Sequence, residues 1–337
     1  MLKKLPEAHR ALAELKGVMG TIPNVHILLD TLPLQEAKDS SAVENIITTH
    51  DELFRATLQN TANQSVTTKE VQRYATALRL GYDRVQHHGF LSLNHIIEVQ
   101  QALEQNNAGL RRLPGTALKN QQTGEVVYTP PQDYDTLLAL MGNLEQYFND
   151  DTLSDADPLV KLAVLHFQFE SIHPFYDGNG RTGRILNILY LVHTGLLPLP
   201  VLYLSRHVIQ HKAAYYQHLQ AVRTTGAWEP WILWMLDGVT ATARDTIRLV
   251  EAMRTLMQAT KQRLRTGYRF YSQELLNHLF RHPYTKVDFL QQELGLSRPT
   301  AAGYLNQLAA DGMLEKHRIG TTNYYINRPL FALLAGE

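Results

Sequence analysis

HPFYDGNGRTGR, residues 173–184, is a polar stretch between two apolar ones. Leu159, Leu162, Val164, Leu165, Phe167 and Phe169 precede it at helical spacing, and Ile185, Leu186, Ile188, Leu189 and Tyr190 follow it. The pattern predicts a loop joining two buried helices. Pro174 stops the first helix just after His173, and Gly178, Asn179 and Gly180 accept turn conformations that bulky residues resist. Such a bend aims backbone N–H groups inward and ends at a helix N-terminus, whose dipole favours anions and suits phosphate oxygens. Arg181 and Arg184, three apart in the first turn of that helix, can reach the same polyphosphate with forked hydrogen bonds. Asp177 supplies a hard oxygen of the kind Mg²⁺ takes beside phosphates. His173 is the side chain best suited to accept a hydroxyl proton near neutral pH.

Each of these residues also has a plainer reading. His173 could be a helix-end histidine bonded to a carbonyl, Asp177 a turn cap, and the two arginines solvated charges. Arginine at a helix start opposes the dipole, however, and therefore points to an anionic partner. His166, Glu170 and His173 are spaced four and three, as in a helical metal site, but no third strong ligand accompanies them.

Working outward, residues 1 to about 20 carry apolar side chains at helical spacing until Pro23 interrupts. A helix is predicted from Leu34 to Ala42, another run from Glu52 behind Thr48 and Thr49, and helix-favouring residues from Val66 to Asn106. Between Thr116 and Tyr128, Thr123-Gly124 separates two runs containing Val, Tyr and Thr, which predicts a β-hairpin. Helical pattern returns from Tyr134 to about Thr266. After Arg269, two short helical patterns joined by GLSRP and followed by Gly312, Gly320 and TTNYYI predict a winged helix-turn-helix. The expected division is an N-terminal helical region over 1–105, a core over 106–265 and the winged unit over 270–337.

Composition bounds the partners. The chain has 337 residues, 44% of them hydrophobic, enough for more than one core. Lys plus Arg and Asp plus Glu number 32 each, so no global charge draws it to nucleic acid or membrane. It contains no cysteine, which excludes disulfides and suits a reducing cytoplasm. No apolar run reaches the roughly 18 residues of a membrane span, so no membrane partner is expected. Over 281–337, six basic and five acidic side chains leave +1, a weak charge for DNA. Ser297, Arg298, Thr300, Tyr304, Asn306 and Gln307 could face a groove, but winged helices also serve as docking modules, so DNA stays an open partner.

The loop resembles the Fic family motif HPFx(D/E)GNGRxxR at each defined position, through His173, Pro174, Phe175, Asp177, Gly178, Asn179, Gly180, Arg181 and Arg184. The resemblance implies a mainly α fold with a Fic-type helical core, a small hairpin flap over Thr116–Tyr128 and the C-terminal winged unit. It implies a protein adenylyltransferase: His173 deprotonates a Ser, Thr or Tyr hydroxyl of a protein target, the chain itself included, and that oxygen attacks the α-phosphate of ATP. Asp177 would hold Mg²⁺, while Gly178, Asn179, Gly180, Arg181, Thr182, Gly183 and Arg184 would hold the nucleotide. Phe175 is the family's buried anchor, and glycine at 180 leaves room for the β-phosphate. The flap would clamp the target by strand-like pairing.

A second likeness lies in SSAVEN, where Ser40, Glu44 and Asn45 match the inhibitory pattern (S/T)xxxE(G/N). It implies that a helix near 34–46 places Glu44 on Arg184, so that ATP settles unproductively. Tyr215 falls where the family contacts adenine, and Arg223 where another nucleotide contact occurs. Two rival readings are removal of AMP with Glu44 orienting water, and a nucleotide sensor that binds DNA through the winged unit. An intact His173 and Asp177 argue against a pure sensor, which needs no base. Members of the class with an N-terminal inhibitory helix are often dimers, and nothing in the residues decides homodimerisation here.

Overall fold

A computed structural model describes residues 3–58, 64–119, 123–319 and 322–337. At its centre is an antiparallel pair of helices, α8 (Pro158–Ile172) and α9 (Asn179–His193), joined by the 173–178 loop. Both are buried nearly all round, which is why their sequences show no clean polar face. Asp157 caps α8 by accepting from the Leu159 N–H, and Pro158 sits in the first turn.

Around this pair pack α5 (Val66–His88), α6 (Leu93–Glu104), α7 (Tyr134–Asn149), α10 (Leu204–Gln210) and α11 (Lys212–Thr225). The Val66–Asn106 stretch is thus two helices, because Gly89 takes a left-handed conformation (φ 74°) and ends the first. Gly81 of α5 lies so close to Leu189 of α9 that an added Cβ would sit 2.5 Å from its Cδ1. Helix α12 (Trp228–Gly267) runs 40 residues, about 60 Å at 1.5 Å per residue, and α1 (Lys4–Met19) packs along it.

Between α1 and α5 the chain makes α2 (Val25–Thr31), α3 (Pro33–Val43) and α4 (His50–Ala56). The apolar spacing did not anticipate α2, which starts from an Asn24 cap on the His26 N–H and spans only two turns. Thr49 and Glu52 form a capping box for α4. Helix α3 is anchored from within: buried Glu36 accepts hydrogen bonds from Tyr74 Oη (3.0 Å), the Ser205 N–H (3.0 Å) and the Ser205 hydroxyl. Burial raises its carboxyl to about 8. Replacing Glu36 by Ala strands these donors, and the cost, offset in part by removing a desolvated acid, should be about 2 kcal/mol in urea unfolding. An unchanged midpoint would show that the donors find other partners.

The predicted hairpin is present as β1 (Leu118–Lys119) and β2 (Val126–Tyr128), paired antiparallel with Leu118 opposite Tyr128. Residues 120–122 of its tip lie outside the described residues. The C-terminal part runs α13 (Gln273–Arg281), β3 (Tyr284–Thr285), α14 (Val287–Leu294), α15 (Arg298–Ala310), β4 (Glu315–Ile319), β5 (Thr322–Ile326) and α16 (Arg328–Ala335), with sheet order β3-β5-β4. Gly295 (φ 63°) closes α14 and Ser297 caps α15, the turn foreshadowed by GLSRP. Gly320 belongs to the undescribed residues.

This part packs on the N-terminal helices. Arg281 Nε donates to Asp30 (2.7 Å), Gln35 of α3 donates to the Leu334 carbonyl (2.6 Å), and Phe54, Tyr284 and Phe331 form an aromatic cluster. On α15 five of the six groove candidates are engaged within the chain, and Gln307 is exposed. Arg298 pairs with Asp288, Tyr304 stacks on Phe270 at 4.0 Å, Asn306 accepts from Lys316 and Tyr325, and Ser297 caps its own helix. No helix among the described residues is long and apolar enough to cross a membrane.

Candidate active site

Helix α8 ends at His173, which adopts φ 49°, ψ 61°, a left-handed conformation rarely taken by a residue with a Cβ. The loop is held in that shape from several sides. Phe175 is fully buried, and its N–H and C=O are both clasped by the Asn179 amide at 2.9 and 2.8 Å. Arg111, 2% exposed, donates Nε to the His173 carbonyl (2.8 Å) and Nη2 to Ile172 (3.2 Å) and Pro131, while its own N–H reaches Pro174. A buried cation thus caps the negative end of α8. The sequence held no sign of this role beyond an arginine pair before a turn.

Gly178 (φ 77°) precedes α9 without side-chain capping, and the first helical bond runs from the Thr182 N–H to the Gly178 carbonyl. The N–H groups of residues 179–181 therefore precede that bond and open toward a cavity of about 400 Å³. His173, Tyr176, Asp177, Gly178, Asn179, Gly180 and Arg181 line it from the loop and α9, together with Glu44, Ile46 and Glu70 from other parts of the chain. Asp177 is exposed and receives the Gly178 N–H on Oδ1 (2.7 Å).

The two arginines of the loop part company. Arg184, 3% exposed, donates to Glu44 Oε1 (2.7 Å), to Ser40 Oγ (2.8 Å) and to the Ser40 carbonyl (3.0 Å). Arg181 instead faces Glu104 (2.8 Å) and Glu70 (3.6 Å). The two guanidiniums, expected to reach one polyphosphate, make two separate ion pairs here, each with carboxylates from other helices. Glu44 ends α3, with Asn45 left-handed behind it (φ 63°) and bonded to Lys212. Burial pushes the Glu44 carboxyl up, yet Arg184 outweighs it and the net shift is downward, which keeps Glu44 ionised.

Burial, with help from the Arg111 and Arg223 charges, lowers the His173 imidazole to about 4, so it is neutral at pH 7. Its Nδ1 is buried without a hydrogen-bond partner. Below the loop, burial raises Glu170 to about 7 despite the nearby Arg184.

The remaining sequence candidates lie off the cavity wall. Thr182 is fully buried, and a Cβ on Gly183 would meet Glu170 Oε1 at 2.7 Å, so these positions serve helix packing. Tyr215 is also buried, its hydroxyl bonded to His166 Nε2 (2.8 Å); Asn187 donates to the other ring nitrogen, which occupies both His166 nitrogens. The neighbouring Tyr216 is half exposed. Arg223 stacks over the Tyr128 ring of the flap at 4.1 Å and reaches Ser171 (3.4 Å).

Comparison with known proteins agrees with this architecture. The Fic/DOC family N-terminal model matches residues 2–83, the Fic/DOC family model 90–191, and the C-terminal domain model of SoFic-like protein adenylyltransferases 256–330. A protein adenylyltransferase of Caenorhabditis briggsae is 28% identical over 171 residues, covering 48% of this chain and 30% of that protein. One from Aedes aegypti is 28% identical over 148 residues, covering 44% and 28%. The matched part is therefore under a third of those relatives' length. Among solved structures, a Fic family protein from Desulfovibrio desulfuricans G20 shares the fold with a TM-score of 0.56 at 21% identity, over 95% of this chain and 96% of that one. Residues 134–508 of Fic-1 from Caenorhabditis elegans align with TM-score 0.56 at 20% identity, over 74% and 73%. With family models along most of its length and the family's loop at its centre, this chain belongs to the Fic/DOC family.

Proposed function

We propose that the chain is a protein adenylyltransferase that transfers AMP from ATP to a hydroxyl of a protein, and that Glu44 restrains it. The observation that carries the reading is the single cavity onto which the 173–184 loop brings His173, Asp177 and the first-turn amides of α9. Those amides and the helix dipole would receive the phosphates. Neutral His173 would take the proton of the incoming hydroxyl as its oxygen bonds to the α-phosphorus; the bond to the β-phosphate oxygen breaks and pyrophosphate leaves. Arg111 would hold the His173 backbone and, with its charge, help keep the imidazole neutral.

Asp177 fits a magnesium ion, since it offers an exposed hard-oxygen donor on the cavity wall. A bound Mg²⁺ would neutralise phosphate charge. Arg184 would meet the γ-phosphate once released from Glu44 and Ser40, and Arg181 must likewise exchange its carboxylate partners for phosphate. Gly180 keeps this region open: a Cβ there would lie 2.5 Å from Glu44 Oε1 and 3.1 Å from Arg184 Nη1. Arg223, bridging flap and α8, is assigned to positioning the flap, and the exposed Tyr216 is the better candidate for adenine stacking than Tyr215. The C-terminal unit, most of whose groove candidates are engaged within the chain, reads as a docking module rather than a DNA reader.

Incubation with Mg²⁺ and α-labelled ATP, followed by mass mapping, tests the activity; absence of any AMP adduct on the chain or on added proteins in the Glu44→Gly form would end the proposal. The placement of ionised Glu44 on the same cavity also supports removal of AMP, with Glu44 orienting a water. Release of AMP from an adenylylated protein, lost on Glu44→Gly, would identify that reaction.

The pH profile gives an independent check. With His173 lowered to about 4, its neutral form persists well below an ordinary histidine's 6.5. Removing Glu44, whose charge raises the imidazole, lowers it further. The acid limb of kcat/KM for Glu44→Gly, which reports the free enzyme, should therefore fall at or below about 4. Glu170 titrates nearer 7, and Glu170→Gln separates its contribution. A limb at 6.5 persisting in Glu170→Gln would mean that His173 is not held in the arginine field described.

A further inference from the structure

His278 in the last turn of α13 and His282, the residue that caps its C-terminus, both face Glu293 of α14. His278 Nδ1 lies 2.8 Å from Glu293 Oε2, and His282 Nε2 lies 2.6 Å from Oε1. All three ligand atoms fall within 4.8 Å of one another. On the far side of its ring, His278 Nε2 bonds to Thr285 Oγ1 of β3 at 2.6 Å. That bond fixes the orientation of a ring that is wholly buried and aims Nδ1 at the cluster, as the outer hydrogen bond of a metal-bound histidine does.

We propose that His278, His282 and Glu293 form a binding site for a zinc-class divalent cation in the C-terminal part of the chain. Two imidazoles and one carboxylate are a donor set that Zn²⁺ takes readily, with a fourth position left for water. Ligand distances of about 2.0–2.2 Å require the donor atoms to separate to roughly 3.5 Å, so each contact must open by somewhat less than 1 Å. The freedom lies where it is needed, because Glu293 is 28% and His282 22% exposed. Each imidazole and the carboxylate would give up any shared proton to the solvent as the cation enters. The Arg281 guanidinium, 3.5 Å from Glu293 Oε1, would oppose the cation, but it is held more closely by Asp30 at 2.7 Å and keeps that partner. The site is separate from the His173 cavity and shares no residue with it. Through Arg281 and Asp30 it adjoins α2, directly ahead of α3, which carries Glu44.

The plainer account is that one carboxylate serves two histidines and an arginine with no metal involved. The full chain, stripped with a chelator and dialysed against Zn²⁺ or Co²⁺ alone, separates the two. The proposal expects one equivalent per chain, a Co²⁺ visible absorption of tetrahedral type, and a rise in Tm with Zn²⁺. His282→Ala and Glu293→Gln, both partly exposed and so expected to fold, should each weaken binding by at least about tenfold and abolish the Tm rise. Asp177→Asn should leave both readouts unchanged. Absence of stoichiometric binding, or equal affinity in the His282→Ala and Glu293→Gln chains, would overturn it.

Discussion

Replacing Glu44 with glycine is expected to raise AMP transfer by about 10-fold or more, within the 5–150-fold that couplings of about 1–3 kcal/mol produce. The side chain holds Arg184 at 2.7 Å and is the only carboxylate paired with it among the described residues. A guanidinium so engaged cannot receive a phosphate, and ionised Glu44 places a like charge where the nucleotide would lie. Removing it leaves Arg184 with its two bonds to Ser40, so the buried cation keeps partners and the fold should survive. Glycine also fits the end of α3, ahead of left-handed Asn45. Labelling with α-labelled ATP in wild-type and Glu44→Gly chains, at matched Tm, decides the matter. Equal labelling would mean that the Glu44–Arg184 pair is structural only.

The second large effect belongs to His173. In the Glu44→Gly background, His173→Ala should lower transfer by about 10²–10⁴-fold, the usual contribution of a positioned proton acceptor. Stability should change little. The loop is held through the His173 carbonyl, by Arg111, and through Phe175 and Asn179, none of which needs the imidazole. Alanine meets the same left-handed backbone at φ 49°, so it neither relieves nor adds strain. His173→Gly, which relaxes that backbone, should be at least as stable as wild type and equally inactive. Retention of transfer in either variant would remove His173 from the chemistry, and loss of folding would move its role to structure.

The sequence by itself determined the features that are local in the chain. The loop from 173 to 184 was legible because a proline, a left-handed glycine at 178 and two flanking apolar helices specify its course within a dozen residues. The cap at Thr49 and the turn in GLSRP were equally local. Glu44 was marked by its neighbours, but its distance from Arg184 was not, since 140 residues separate them.

Tertiary structure alone decided which side chains share a space. It assigned Arg181 to Glu104 and Glu70, buried Arg111 behind His173, and turned Tyr215 toward His166 and away from the cavity. It also brought His278 and His282 to the carboxylate of Glu293 across a turn and a strand. The physical reason is that capping and backbone strain act over a few bonds, whereas the partner of a charge is chosen by the packing of whole helices. Periodicity tells which face of a helix is buried and leaves unspecified which neighbour buries it.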